Sequence, residues 1–470
     1  MRGSPFTRFS LVLTLFILVS SSVSASVLSS TMTSDTPNHE TLWSGRYDLL
    51  IIAPPIFHFE LLPLVHHKNH LGVRTILVTT TQVYQQMFWQ GRDHAEKIKY
   101  YIKAAIECWG VHYVLLIGGR HDQRKTESWW VPVRYSHLDR PYEAFNETKF
   151  LSDLYFADIY TQNGSFSSWD DNGNGIFGEW QPGQAAADRP DLVPDVSLGR
   201  LPCINGRELR IVVRKIIQYE NRNVENTSWF KTMVVAAGDT YPGRTPYYDG
   251  EVYTQQGLDF MTGFKPVKLW TSDGSYKSWR DIVSAVSKGC GFLWLSGHGN
   301  PKVWGTHPPN DNDTWINIRL RNLLFLHNLR KLPVCITGSG CFNSMFNVSL
   351  TNASWVYGLK TPCCFSWMLV SLPHGGSIAT IGSTGFSYES PDISLGYGGI
   401  EWLDRQFFAE YGVNHTNILG DTWRASITAV LKECLFDWSD GSINGSALVV
   451  KNVEQWVLFG DPSLMIGGSR

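Results

Sequence analysis

Apolar positions along the chain fall into short runs separated by longer amphipathic stretches. Tyr47–Ala53 (YDLLIIA) is one such run, stopped by Pro54-Pro55, and it reads as a buried strand. Val73–Thr79 (VRTILVT) and Tyr113–Ile117 repeat the pattern, with a helical stretch over 95–108 between them. Strands without alternation, separated by helices, predict a parallel sheet covered on both faces. A polar, Gly- and Asn-rich section follows from about 123 to 195, then a helix over 209–219 and an Asn-rich linker at 221–227. The alternation restarts with strands over 232–237 (TMVVAA), 291–296 (GFLWLS), 332–337 (LPVCIT) and 377–381 (SIATI). The fold class is α/β, with two successive sheet-forming blocks, 46–225 and 226–466.

The N-terminus changes the picture of where the chain goes. Arg2 and Arg8 precede an apolar stretch from Leu11 to Val19, and small residues lead to Ala25. This pattern predicts a signal peptide over 1–25, followed by a short N-terminal segment over 26–45. The apolar core is too short for a comfortable bilayer span, and no later segment supplies 18 uninterrupted apolar residues. A secreted protein without a transmembrane anchor is expected. Eight Asn-x-Ser/Thr sequons, at Asn146, Asn163, Asn226, Asn312, Asn347, Asn352, Asn414 and Asn444, fit N-linked glycans.

Composition narrows the partners. Apolar residues make up 43% and charged residues 17%, enough for a packed core. A formal net charge of −2 without a long basic run argues against nucleic acid. Eight cysteines in an oxidising compartment could pair, but a catalytic thiol would leave seven, so one more would stay unpaired.

The candidate chemistry sits where two strands end. The run 291–296 leads into Gly297-His298-Gly299, and 332–337 leads into Gly338-Ser339-Gly340-Cys341. Ligand sites of open parallel sheets gather beyond the carboxyl ends of strands. Glycines let the chain turn sharply there and leave backbone N–H groups free. Cys341 is the candidate nucleophile, which needs a nearby base, and His298 is a base that can later protonate a leaving amine. The N–H groups of Gly299 and Cys341 are candidates for stabilising an oxyanion. Taken singly, either residue reads as readily as a structural thiol or imidazole. Cys335, inside a strand, and Cys363-Cys364, in an apolar segment, read as structural.

Ser296-Gly297-His298-Gly299 with Trp304, and Gly340-Cys341-Phe342-Asn343-Ser344, resemble the histidine and nucleophile motifs of the gingipain family of cysteine peptidases. Ser152–Asp158 (SDLYFAD), Gly199-Arg200-Leu201-Pro202 and Phe459–Leu464 (FGDPSL) match further motifs in the family's order, spanning roughly 46–466. The resemblance implies a caspase-like fold of two adjacent subdomains, each a mostly parallel sheet flanked by helices. It implies peptide-bond hydrolysis of protein or peptide substrates through a thioester on Cys341, with His298 as acid/base and no organic cofactor. Ser383–Pro391, including Tyr388, resembles the wall of the pocket for the residue before the cleaved bond. Asp153 falls where Arg-specific members carry the acid that holds the substrate guanidinium, although its Ser-Asp-Leu-Tyr setting could equally serve structure or calcium binding.

A second candidate site is independent of the first. Asp170, Asn172 and Asn174 alternate as oxygen ligands, Gly175 permits a sharp turn, Ile176 offers a carbonyl and Glu179 closes the loop. Structural Ca2+ is expected there, although Glu179 comes two residues earlier than in an EF-hand. Two other readings remain: a catalytically silent extracellular adhesin or binding module on the same fold, and a different caspase-fold enzyme such as a legumain-like transpeptidase.

Overall fold

The computed structural model describes residues 43–125, 127–139, 147–351, 359–389, 399–434, 436–440 and 445–468. The expected signal peptide, the sequons at Asn146, Asn352 and Asn444, and Pro391 lie outside the described residues. In chain order the strands are β1 Leu49–Ala53, β2 Thr75–Thr79, β3 Tyr113–Ile117, β4 Tyr135–Ser136, β5 Phe150–Leu151, β6 Ser197–Leu201 and β7 Thr232–Ala237. They continue with β8 Lys265–Trp270, β9 Phe292–Leu295, β10 His298–Asn300, β11 Val303–Thr306, β12 Ile316–Arg319, β13 Val334–Thr337, β14 Ala379–Ser383 and β15 Trp456–Phe459.

Ten of these form one sheet, in the order β2-β1-β3-β6-β15-β14-β13-β9-β7-β8. Every neighbour pair is parallel except β14 with β15. The strands from β2 to β15 therefore run one way and those from β14 to β8 the other. β6 and β15 join through a single pairing, Arg200 opposite Phe459, within one continuous sheet. All five residues of β1 and all four of β9 and β13 are buried, as expected for strands covered on both faces.

The covering helices are set by local signals. The Asp93 carboxylate accepts from the Glu96 N–H at 2.9 Å to start helix His94–Trp109, and Gly110 ends it at φ +72°. Asn205 caps helix Gly206–Glu220, which packs on helix His58–His70. Across the sheet, helix Ile400–Gly412 packs against Asp249–Phe260 and Leu419–Glu433.

Three of the sequence motifs turn out to hold the frame together. Arg200 on β6 is fully buried, and its Nε and Nη2 each donate to Asp153 at 2.7 Å. Lys68, also fully buried, donates to Glu220 at 2.6 Å and forms an ion pair with Asp461 at 2.8 Å, tying helix His58–His70 to the turn after β15. All eight cysteines are free thiols, so the pairing considered from the sequence is not formed. Of the sequons, Asn163, Asn226, Asn312 and Asn414 are exposed. Asn347 is buried and its amide reaches the Tyr135 hydroxyl at 3.4 Å, so the folded chain offers no room for a glycan there.

Candidate active site

The strands β7, β9, β13 and β14 are parallel, so the loops after them meet at one edge of the sheet. His298 opens β10, directly after β9, and Cys341 lies in the turn after β13. A small antiparallel sheet, β10-β11-β12, carries the His298 loop outward as a flap.

Asn343 links the two loops. Its side-chain amide donates to the carbonyls of Asn300 at 2.8 Å and Val303 at 3.1 Å. A Cβ on Gly299 would lie 2.7 Å from that amide, and Gly340 meets the same side chain, so both positions need the bare glycine backbone. Below the turn, buried Asp404 accepts from the Ser339 N–H at 2.9 Å and from the indoles of Trp456 and Trp294 at 3.1 and 3.3 Å. Burial pushes its carboxyl up to about 7 against those donors. Phe342 adopts φ +59°, a left-handed conformation that costs a non-glycine residue, and its N–H is pinned to the Gly385 carbonyl at 2.9 Å. The Gly340 N–H is likewise spent on Thr337, whereas the Cys341 N–H between them has no acceptor among the described residues.

The imidazole is fixed in one tautomer. Nε2 of His298 lies 2.7 Å from the Thr240 carbonyl, which only accepts, so Nε2 carries the proton and Nδ1 the lone pair. Burial holds the His298 pKa below its ordinary value, outweighing the Thr240 hydrogen bond, and His307 adds to the lowering. The ring stands edge-on to Tyr241 at 5.1 Å and to Trp315 at 5.4 Å. Cys341 is half-buried, with its Sγ 3.5 Å from the Ser387 carbonyl, while the Ser387 hydroxyl donates to it at 3.4 Å. Burial raises the thiol pKa; the Ser387 contacts lower it, and Glu147 and Glu401 add to the rise. Both directions favour the uncharged forms, a thiol and a neutral imidazole.

The segment after β14 is clamped against helix Ser446–Gln455. The Tyr388 N–H donates to Asn452 at 3.0 Å and its carbonyl accepts from the same side chain at 2.8 Å. The Tyr388 and Phe386 rings lie 5.0 Å apart. Next in the chain, Glu389 buries its carboxylate with Glu401 and Asp249 nearby, and burial together with mutual repulsion pushes the Glu389 and Glu401 pKa values well above ordinary. Glu389 Oε1, Glu401 Oε2 and Asp249 Oδ2 are buried without a hydrogen-bond donor among the described residues. Arg244 reaches Glu389 only at 3.4 Å.

Asp153 is buried with both its oxygens taken by Arg200, the structural alternative that its Ser-Asp-Leu-Tyr setting left open. Sequence reasoning gave no role to Thr240, Asp404 or Glu401, and placed Ser387 and Glu389 only within the Ser383–Pro391 segment without singling them out. Asn343 stood inside a motif already singled out, and Asp404 sits on the apolar stripe of its helix with Ile400, Leu403 and Phe407.

At the other candidate site, Asp170 accepts from the Asn174 and Gly175 N–H groups at 3.0 Å, and Gly175 adopts φ +83°. The amides of Asn172 and Asn174 converge on Glu179 Oε2 at 3.4 and 2.8 Å. The Ile176 N–H donates to Asn174, and Arg92 forms an ion pair with Asp170. The loop is thus held by its own hydrogen bonds, with Arg92 as the positive charge beside Asp170.

A mostly parallel sheet between helices, with a thiol and an imidazole on neighbouring strand ends, defines the caspase-like class of folds. The description of peptidase family C25 matches residues 43–467, and the chain belongs to that family. It is 20% identical over 433 residues to gingipain R2 of Porphyromonas gingivalis, covering 90% of this chain and 46% of that protein. It is 20% identical over 281 residues to gingipain R1 of the same species, covering 59% of this chain and 25% of that one. It thus spans less than half the length of these relatives. Among solved structures, the complex of Porphyromonas gingivalis RgpB pro- and mature domains superposes with a TM-score of 0.58 at 18% identity, covering 89% of this chain and 79% of that one. The Arg-specific cysteine proteinase gingipain R superposes with a TM-score of 0.57 at 18% identity, covering 90% and 78%.

Proposed function

We propose that this chain is a cysteine endopeptidase, exported from the cell, that hydrolyses peptide bonds through a thioester on Cys341. The observation that carries this reading is the tautomer of His298, whose Nε2–H donates to the Thr240 carbonyl so that Nδ1 is left as base. In the first step Nδ1 takes the thiol proton as Sγ attacks the scissile carbonyl carbon. The Cys341 and Gly299 N–H groups are the donors for the oxyanion. Collapse breaks the C–N bond, and the proton on Nδ1 passes to the leaving amine. Water then gives a proton to Nδ1 as it attacks the thioester, and the released thiol recovers that proton. Among the described residues no helix is long and apolar enough to cross a membrane, which is compatible with export.

The pocket before the cleaved bond takes a basic side chain in this reading, walled by Phe386 and Tyr388 and ended by Glu389 and Glu401 in place of Asp153. Its support is the donorless buried carboxylate oxygens, which a guanidinium or ammonium would satisfy. The test is incubation of purified protein with a mixed-sequence peptide library under reducing conditions. Cleavage after Arg or Lys that disappears once Cys341 is carboxymethylated is the expected result. Absence of cleavage across pH 5–9 would instead favour the silent binding module.

The raised thiol pKa gives a second expectation. Iodoacetamide modification of Cys341 in the free protein should titrate above the ordinary thiol value, because the thiolate forms only as burial is overcome. A profile centred near neutral pH would mean that an ion pair forms at rest.

Calcium in the loop 170–179 belongs to the same proposal, held by Asp170, Asn172, Asn174, the Ile176 carbonyl and Glu179. Coordination requires Arg92 to release Asp170. Calcium at about 100-fold over its Kd should add about 2.7 kcal/mol of stability, read as a higher melting temperature. Asp170→Asn should remove that shift, and an equal shift in both proteins would place the ion elsewhere.

A further inference from the structure

Two adjoining cavities of about 800 and 630 Å³ run along helix Gly206–Glu220. Ser287, Leu332, Pro373 and His374, which lie just before β9, β13 and β14, line them. They therefore open at the amino ends of the strands whose carboxyl ends lead to the Cys341 cleft, on the opposite edge of the sheet.

The lining is strongly basic. Arg207, Arg210 and Arg214 recur at three and four positions along the helix, so they share one face, and Arg222 follows just past its end. Arg330 and Lys331 stand on the far wall with His327. The only acid lining either cavity is Glu60, already bonded to Arg210 at 3.0 Å. Arg207, Arg214, Arg222 and Arg330 make no side-chain ion pair or hydrogen bond among the described residues. In a chain of net charge −2, this is a local concentration of positive charge and not an overall excess.

The floor is apolar. Pro63, Ile211, Ile217 and Pro373 contribute to it, with Phe59 80% exposed and Leu329 66% exposed at the rim. Unpaired guanidinium groups above exposed hydrocarbon call for an anion that also carries apolar groups. A sulfated glycan would leave the floor unused, and a concave groove does not suit a bilayer surface. From Arg207 to Arg222 the track is roughly 22 Å at the helical rise, which about seven residues of extended peptide would span.

We propose that this groove is a second binding site, for an acidic peptide segment with apolar side chains on a substrate or partner protein. Because it is remote from Cys341, it stands whether or not the chain is an active peptidase. The probe is a fluorescein-labelled twelve-residue peptide of alternating Glu and Leu, followed by anisotropy with the Cys341→Ala protein. Saturable binding that weakens at least tenfold in Arg207→Glu/Arg214→Glu/Arg330→Glu is expected, and all three side chains are exposed, so the fold should survive. Phe59→Ser, or a peptide with Ser for Leu, should weaken it severalfold. Equal affinity of the parent and the charge-reversed protein would overturn the proposal. So would tighter binding of a heparin oligosaccharide or of phosphatidylserine vesicles that responds to the same three substitutions.

Discussion

Cys341→Ala is expected to abolish amide hydrolysis, by roughly 10⁴-fold or more, while His298→Ala should lower it by roughly 10²–10⁴-fold. The two losses differ because the residues do different work. Without Sγ there is no acceptor for the acyl group, and nothing else at the turn can substitute. Without His298 the thiol remains, raised in pKa by burial, and hydroxide or buffer must remove its proton. The leaving amine then departs without an acid, which is the harder defect. His298→Ala should therefore be far more damaging on amides than on p-nitrophenyl esters, whose leaving group needs no proton. The pH dependence carries the same logic with its sign. His298 acts as base when neutral, and burial holds its pKa below the ordinary value, so the acidic limb of kcat/KM should lie below about 6.5. Equal losses on esters and amides would remove His298 from the leaving-group step.

The apolar strands and the turns that carry His298 and Cys341 are legible because each signal is local. A run such as LLIIA announces a doubly covered strand, and glycines on either side of His298 and before Cys341 mark turns at strand ends. The strand β6 (SLGRL) was missed because its Arg200 makes a core strand look polar, and only the Asp153 partner 47 positions away explains that charge. The residues that align the site were illegible for the same reason. Thr240, Ser387, Asn343 and Asp404 act through contacts between loops distant in sequence. A carbonyl that selects a tautomer has no side-chain signature at all. In the loop at 170–179 the spacing was readable, but Arg92, from the far side of the polar section, was not.

Asp153→Ala should cost about 3–5 kcal/mol of stability, measured by denaturant unfolding, because it leaves a fully buried guanidinium without its anion. Its preference among cleavable peptides should stay unchanged when assayed below the unfolding transition. Exchanging both partners, Asp153→Leu with Arg200→Met, should recover much of the loss, since neither charge is then stranded. Glu389→Gln with Glu401→Gln should do the reverse. Stability should hold or rise, because two crowded buried acids whose pKa values are pushed well upward become neutral amides. Hydrolysis after Arg and Lys should fall about 10–100-fold relative to neutral residues, the effect of one or two lost charge-assisted hydrogen bonds. Burial and mutual repulsion raise both pKa values in the free protein, so entry of a cation favours release of protons. KM for basic peptides should accordingly drop as pH rises, and KM for neutral peptides should not. If Asp153→Ala erased the basic preference while the double glutamine variant kept it, the pocket would end at β6, and Arg200 would have to give up Asp153 when substrate arrives.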